Sequence, residues 1–338
     1  MRRFLFAIWT TIVLLGLIPA EAEQMTWNES TRIDEVTSYP AFGDWGRMIF
    51  PVDTGYYSGS TLGSLRLTWY SNIQPAKTVE IVNYMREKAD AGEQIFYRIY
   101  TDAEIAADPW KADTGLFFFK GHPGAKFAIC NAGGGFAYVG AMHDSFPHAL
   151  ELSKMGYNAF ALIYRPGAQT ACEDLARAIA FIHEHAEELE VDKADYSLWG
   201  GSAGARMAAW LGNYGTAAFG EKEYPRPGAV IMQYTGLSEV YGNEPPTYNC
   251  VGTNDGIASY RTMELRIAAI QANGTDAMIE VFPGLSHGFL SWYRYRGRWL
   301  DQQSGFLLGK QHEISGGIKD ERTGFEAISG FLEGPRTG

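Results

Sequence analysis

The stretch "SLWGGSAGARMAAWLG", beginning at Ser197, constrains the fold of this chain more than any other. A strand-like apolar run stops abruptly, five small residues follow, and an alanine-rich helical pattern starts at once. Gly200-Gly201-Ser202-Ala203-Gly204 fits G-x-S-x-G, a motif that needs a strand before it and a helix after it. Such a corner is strained, and glycines beside the serine let neighbouring backbone come close. The geometry lifts the Ser202 hydroxyl clear of the sheet and leaves the Ala203 N–H free at the helix N-terminus. The plainer alternative is a glycine-rich helix start with Ser202 as its N-cap. The motif alone does not separate the two, so the rest of the chain must.

From about residue 63 onward, strand-like and helix-like runs alternate. "SLRLTWY" and "QIFYRIY" read as strands, with "KTVEIVNYMREKADAG" between them carrying Val82, Met85 and Ala89 at helical spacing and Gly92 as its stop. "GLFFFKG", "KFAICNA" and "YNAFALIY" are short apolar runs without alternation, as expected of strands covered on both faces. "ACEDLARAIAFIHEHAEELE" places Leu175, Ile179, Ile182 and Ala186 on one stripe. This rhythm predicts an α/β fold: a mostly parallel central sheet with helices on both faces. Ligands of such sheets bind beyond the carboxyl ends of the strands, so polar residues just after a strand are the ones to weigh.

Two such residues follow Ser202 in order. "TYNCVGTNDG" ends a strand with Asp255 in the loop, and "VFPGLSHGF" ends the next with His287. Serine, acid, histidine is a chain order that a catalytic triad of this topology uses. A serine hydroxyl is a poor nucleophile until a base takes its proton. Histidine titrates in the right range to do that, and a carboxylate fixes its tautomer and stabilises the imidazolium. Taken singly, Asp255 could be a turn residue and His287 a loop histidine. Their joint order and placement argue for the triad Ser202, Asp255 and His287.

A third element stands well upstream. "CNAGGGFAYVG" follows the strand "KFAIC", and its glycines can expose backbone N–H groups to a developing negative charge. Gly134, Gly135 and Ala203 are the expected oxyanion donors. A phosphate loop is disfavoured: Tyr138 stands where G-x-G-x-x-G needs its last glycine, and no G-K-[ST] follows. Phe136, Tyr138 and Tyr234 are candidates for an acyl or sugar pocket, with Tyr56 and Tyr57 beside them. His143, Asp144 and His148 lack a third convergent metal ligand and read as the start of the helix behind the glycine loop, with Asp144 as its cap. His183 and His185, two apart on a helix, point to different faces.

Charge and the N-terminus narrow the function classes. A net charge of -11 over 338 residues argues against nucleic acid, whose backbone calls for clustered Lys and Arg. "MRRFLFAIWTTIVLLGLIPAEAEQ" has a positive start, a short apolar stretch and small residues at Ala20 and Ala22. It reads as a secretory signal cleaved after Ala22, too short for a membrane anchor, leaving no stable membrane insertion. Export permits disulfides. Cys130, Cys172 and Cys250 are odd in number, and Cys130 and Cys250 sit in strand-like runs where buried, unpaired thiols are expected.

Together "AGGGF", "ALIYRPG", "GGSAG", "GTNDG" and "GLSHGF" resemble the α/β-hydrolase serine esterases. The likeness is strongest to the group related to hormone-sensitive lipase and to small bacterial polysaccharide-deacetylating esterases, and runs from about "GLFFFKG" through "SHGF". It implies a secreted or periplasmic carboxylic-ester hydrolase acting through an acyl-enzyme, with no cofactor and no metal. Its substrate would be a small-molecule or polysaccharide ester, such as an acetyl or feruloyl ester. The expected organisation is a signal peptide (1–22), an N-terminal leader and partial lid (23–62) and the catalytic domain (63–338). Two departures stand out. The family has histidine before its three glycines, where this chain has Ala132. A long insertion containing "WYRYRGRW" separates His287 from a late helix at "RTGFEAISGFLEG". A serine peptidase of the same fold, or a catalytically idle carbohydrate- or surface-binding protein, remains the alternative.

Overall fold

A computed structural model describes residues 26–70 and 72–289 and the backbone of 294–295 and 298–299. The expected signal segment and late helix lie outside these residues. In "WYRYRGRW" only the backbone of two antiparallel two-residue strands is described, Arg294–Tyr295 and Arg298–Trp299.

The N-terminal part carries a short helix α1 (Ile33–Thr37), a 3-10 segment (Pro40–Met48) and a ribbon of β1 (Tyr57–Ser58) with β2 (Arg66–Leu67). The sheet follows: β3 (Phe96–Tyr97), β4 (Gly115–Phe119), β5 (Lys126–Asn131), β6 (Asn158–Ile163), β7 (Asp192–Gly201), β8 (Ala229–Gln233), β9 (Thr247–Gly252) and β10 (Ala277–Phe282). Its helices are α2 (Pro75–Asp90), α3 (Asp102–Ala107), α4 (Ser145–Lys154), α5 (Ala168–Glu184), α6 (Ala203–Tyr214) and α7 (Tyr260–Ala272). The strand order is β10-β9-β8-β7-β5-β6-β4-β3, and β4 alone runs against the others.

The runs without alternation became the strands they predict. Every residue of β4, β6, β8 and β9 is buried. Successive side chains point to opposite faces, so both faces of these strands are covered. In α6, glycine and alanine let the helix lie close on β7 and β8.

"SLRLTWY" departs from its expectation. Leu65 and Leu67 are buried and Arg66 is exposed, the alternation of a half-exposed strand. Only Arg66–Leu67 pairs, with Tyr57–Ser58 and outside the central sheet, because the chain bends back at Leu67–Tyr70 through two backbone hydrogen bonds. "QIFYRIY" likewise shrinks to a two-residue edge strand, β3.

The segment expected as a leader and partial lid buries Trp27, Ile33, Val36, Phe42, Ile49 and Leu62 in the same hydrophobic core as the sheet. Cys130 in β5 and Cys172 in α5 are buried free thiols, and Cys250 in β9 is buried as well.

Candidate active site

β7 ends at Gly201 and α6 begins at Ala203, so Ser202 is the whole of the turn. Its backbone is at φ 50°, ψ -113°, a region costly for any residue with a Cβ. Neighbouring contacts hold it there. The Ser202 N–H donates to the Gln233 carbonyl at 2.9 Å. Gly200 and Gly204 have no room for a side chain: a Cβ on Gly204 would lie 2.1 Å from the Asn131 carbonyl oxygen, and one on Gly200 would lie 2.2 Å from the Gly204 carbonyl carbon. The two motif glycines therefore let β7 and α6 close on the end of β5. Ser202 makes no side-chain cap bond, unlike the plain N-cap weighed above.

Asp255 and His287 come from the loops after β9 and β10, which are adjacent and parallel. These loops are tied together. The Thr253 N–H donates to the Phe282 carbonyl and the Asn254 N–H to the Leu285 carbonyl at 3.0 and 2.9 Å. The Asp255 side chain is fully buried, and its Oδ1 accepts the N–H groups of Ile257 and Ala258 at 2.8 and 2.7 Å. His287 Nδ1 lies 2.9 Å from Asp255 Oδ2, and His287 Nε2 lies 2.9 Å from Ser202 Oγ. A carboxylate beside Nδ1 leaves Nε2 free to accept the serine proton, the tautomer a serine nucleophile needs.

The glycine loop sits against the same corner. Gly134, Gly135 and Phe136 have φ of 134°, 62° and 60° in succession. Only glycine fits at 134, where a Cβ would lie 2.0 Å from the Tyr138 carbonyl oxygen. The turn closes through the Ala137 N–H on the Gly134 carbonyl and the Gly140 N–H on the Gly133 carbonyl. A Cβ on Gly133 would come within 3.0 Å of Ser202 Cβ, so the loop passes directly beside the serine. Among the described residues, the N–H groups of Gly134, Gly135 and Ala203 donate to no protein acceptor.

The aromatic candidates divide. Phe136 is half-buried and stacks on Trp210 at 6.0 Å. Tyr138 is buried, stacks on Tyr56 at 5.0 Å, and accepts the Trp69 N–H on its hydroxyl. Tyr138 and Tyr56 line a cavity of about 170 Å³ with Phe50, Trp110 and Tyr164. Tyr234 lies elsewhere. It is 1% exposed, with its ring edge-on to His287 at 5.3 Å and its hydroxyl on Asp144. It supports the histidine from beneath rather than facing a pocket.

Asp144 corrects another expectation. It precedes α4, yet makes no side-chain cap bond. Its carboxylate turns to the glycine loop and accepts the Gly133 N–H at 2.7 Å. Sequence reasoning also passed over Trp69 and Tyr70. Trp69 is half-exposed and so close to Gly135 that a Cβ there would meet its ring at 2.8 Å. Tyr70 stacks on His143 with ring centres 4.0 Å apart. Burial holds His143 and His148 below the usual histidine range, and no group of three or more metal-binding side chains occurs among the described residues.

The fold recurs in solved structures. Thermogutta terrifontis esterase 2 phosphonylated by cyclosarin is 19% identical with a TM-score of 0.52, covering 64% of this chain and 96% of its own. The acetyl ester-xyloside bifunctional hydrolase of Caldicellulosiruptor lactoaceticus is 21% identical with a TM-score of 0.52, covering 61% and 92%. The chain has the α/β-hydrolase fold. The BD-FAE family model matches residues 121–255, less than half of the chain but enough to span the glycine loop, Ser202 and Asp255. No curated protein matches the sequence.

Proposed function

We propose that this α/β hydrolase is a serine carboxylic-ester hydrolase acting on small acyl esters. The reading rests on one observation above the rest: Ser202 Oγ, His287 and the buried Asp255 form a continuous hydrogen-bonded chain, with both imidazole contacts at 2.9 Å. Ser202 Oγ attacks the ester carbonyl while His287 Nε2 takes its proton. Asp255 orients the ring and stabilises the imidazolium. The N–H groups of Gly134, Gly135 and Ala203 receive the oxyanion. His287 returns the proton to the departing alcohol, leaving an acyl-serine. Water, deprotonated by the same imidazole, then releases the acid.

Acetyl or feruloyl groups on polysaccharides are the proposed substrates. The similarity to an acetyl ester-xyloside hydrolase supports acetyl esters. The aromatic side chains around Tyr138 are suited to a sugar or an aromatic acid. Export to a periplasmic or external space is part of the proposal and rests on the N-terminal "MRRFLFAIWTTIVLLGLIPAEAEQ". No helix of the described residues is long and apolar enough to cross a membrane.

A fluorophosphonate probe should label the protein and not Ser202→Ala. Labelling of both, or of neither, removes Ser202 as nucleophile, and labelling of neither leaves the idle binding protein standing. A panel of p-nitrophenyl acetate, longer acyl esters and a peptide amide resolves the substrate class. Faster turnover of the amide than of acetate would make the protein a peptidase.

A further inference from the structure

The histidine expected before the three glycines is replaced by Ala132, yet the loop holds a conformation with three successive positive φ values. Something else must hold it. The Ala132 carbonyl accepts the Tyr164 hydroxyl at 2.7 Å, which fastens the strand side. The glycine side is fastened by Asp144.

Asp144 is 2% exposed. Around its carboxylate converge the Gly133 N–H, on Oδ2 at 2.7 Å, and the Tyr234 hydroxyl, on Oδ1. The Tyr70 hydroxyl lies close by: a Cβ on Gly133 would sit 1.8 Å from it and 3.1 Å from Asp144 Oδ2. A buried carboxylate is costly unless donors satisfy it, and here the Gly133 N–H and the Tyr234 hydroxyl do. The groups around it belong to different parts of the site. Gly133 starts the glycine loop. Tyr234 follows β8 and carries the ring against His287. Tyr70 ends the N-terminal segment and lies against the loop after His287, where a Cβ on Gly288 would sit 2.8 Å from its ring. Burial and the Asp144 carboxylate together push the Tyr70 and Tyr234 hydroxyls well above the usual phenol range. Both therefore stay protonated, and Tyr234 donates to Asp144.

We propose that Asp144 is a positioning residue for ester hydrolysis: by accepting the Gly133 N–H while held by the Tyr234 hydroxyl, it aims the Gly134 and Gly135 N–H groups at the oxyanion, doing here what residue 132 cannot. The proposal rests on the esterase reading and adds a residue that touches no reacting atom. It acts on the transition state, because a displaced donor matters most when the carbonyl oxygen becomes charged.

The test is steady-state kinetics on p-nitrophenyl acetate with Asp144→Ala, Asp144→Asn and Tyr234→Phe, each first checked for folding by circular dichroism. Loss of one oxyanion donor typically costs about 100- to 1,000-fold in kcat. Asp144→Ala is expected to lose about 100-fold in kcat with KM within about threefold of wild type. Asp144→Asn keeps one oxygen for the Gly133 N–H and should recover at least about tenfold of that loss. A folded Asp144→Ala enzyme with kcat within threefold of wild type overturns the proposal, as does a loss carried by KM. So does an asparagine variant no better than alanine. If Asp144→Ala does not fold, Tyr234→Phe decides: it keeps the ring on His287 and removes one hydroxyl from the carboxylate. Its kcat should fall about fivefold at constant KM, and an unchanged kcat refutes the grip. If the wild-type protein neither hydrolyses the ester nor reacts with fluorophosphonate, the esterase reading has failed instead.

Discussion

At most positions, alanine stabilises a chain relative to glycine, because glycine has more freedom to lose on folding. Residue 202 should reverse that sign. Its φ of 50° and ψ of -113° suit glycine, and holding a residue with a Cβ there costs about 1–3 kcal/mol. The unfolded-state advantage of alanine is about 0.5–1 kcal/mol. Ser202→Ala and Ser202→Gly both lose the hydroxyl and its bond to His287, so that contribution cancels between them. The difference leaves glycine ahead by about 1 kcal/mol, or about 2 °C in Tm for a chain of this size. Urea titration and thermal melts of the two inactive variants, side by side, measure it. If the alanine variant equals or exceeds the glycine variant in stability, the turn at Ser202 is not strained, and the account of how the nucleophile is presented fails.

Other outcomes follow from the same geometry. Asp255→Asn should lower kcat by about 10,000-fold with little change in KM, because the buried side chain orients His287 and does not face substrate; single-turnover acylation checks this. Gly204→Ala puts a Cβ 2.1 Å from the Asn131 carbonyl oxygen, and backbone on both sides makes relief costly. It should destabilise the fold by about 1–3 kcal/mol by urea denaturation. Burial pushes the Glu280 carboxyl up to about 7 from its ordinary 4.5. The folded chain then holds a proton that the unfolded chain has released, so this group's contribution to stability falls as pH rises from about 4.5 to 7. Glu280→Gln should remove that slope, its melting temperature gaining on the wild type at pH 8 relative to pH 5.

Most of the site was legible because it is built from local signals. Gly200, Gly204 and Gly134 each sit where a side chain cannot fit, and such positions show in sequence as glycine clusters. Asp255 and His287 each follow a strand directly, so parallel pairing of β9 with β10 carries them together. The runs of β4, β5 and β6 could be read because burial on both faces removes alternation. What escaped depends on packing between distant segments. Asp144 looks like a helix cap from its neighbours alone, and only the fold brings Gly133 and Tyr234 to it. Tyr234 looks like any aromatic after a strand, and its place under His287 follows from the register of β8 against β7 and β9. The bend at Leu67–Tyr70 has no glycine or proline to announce it, so "SLRLTWY" read as a longer strand.

That bend has a practical consequence. Trp69 and Tyr70 reach the catalytic corner from a stretch that contributes no strand to the central sheet. A version trimmed to begin at α2 would lose the ring beside Gly135 and the ring stacked on His143, and with them the Trp27, Ile33, Val36, Phe42, Ile49 and Leu62 side chains of the shared core. Swapping residues 26–70 between proteins of this architecture would therefore exchange surroundings of the glycine loop and core packing in one step.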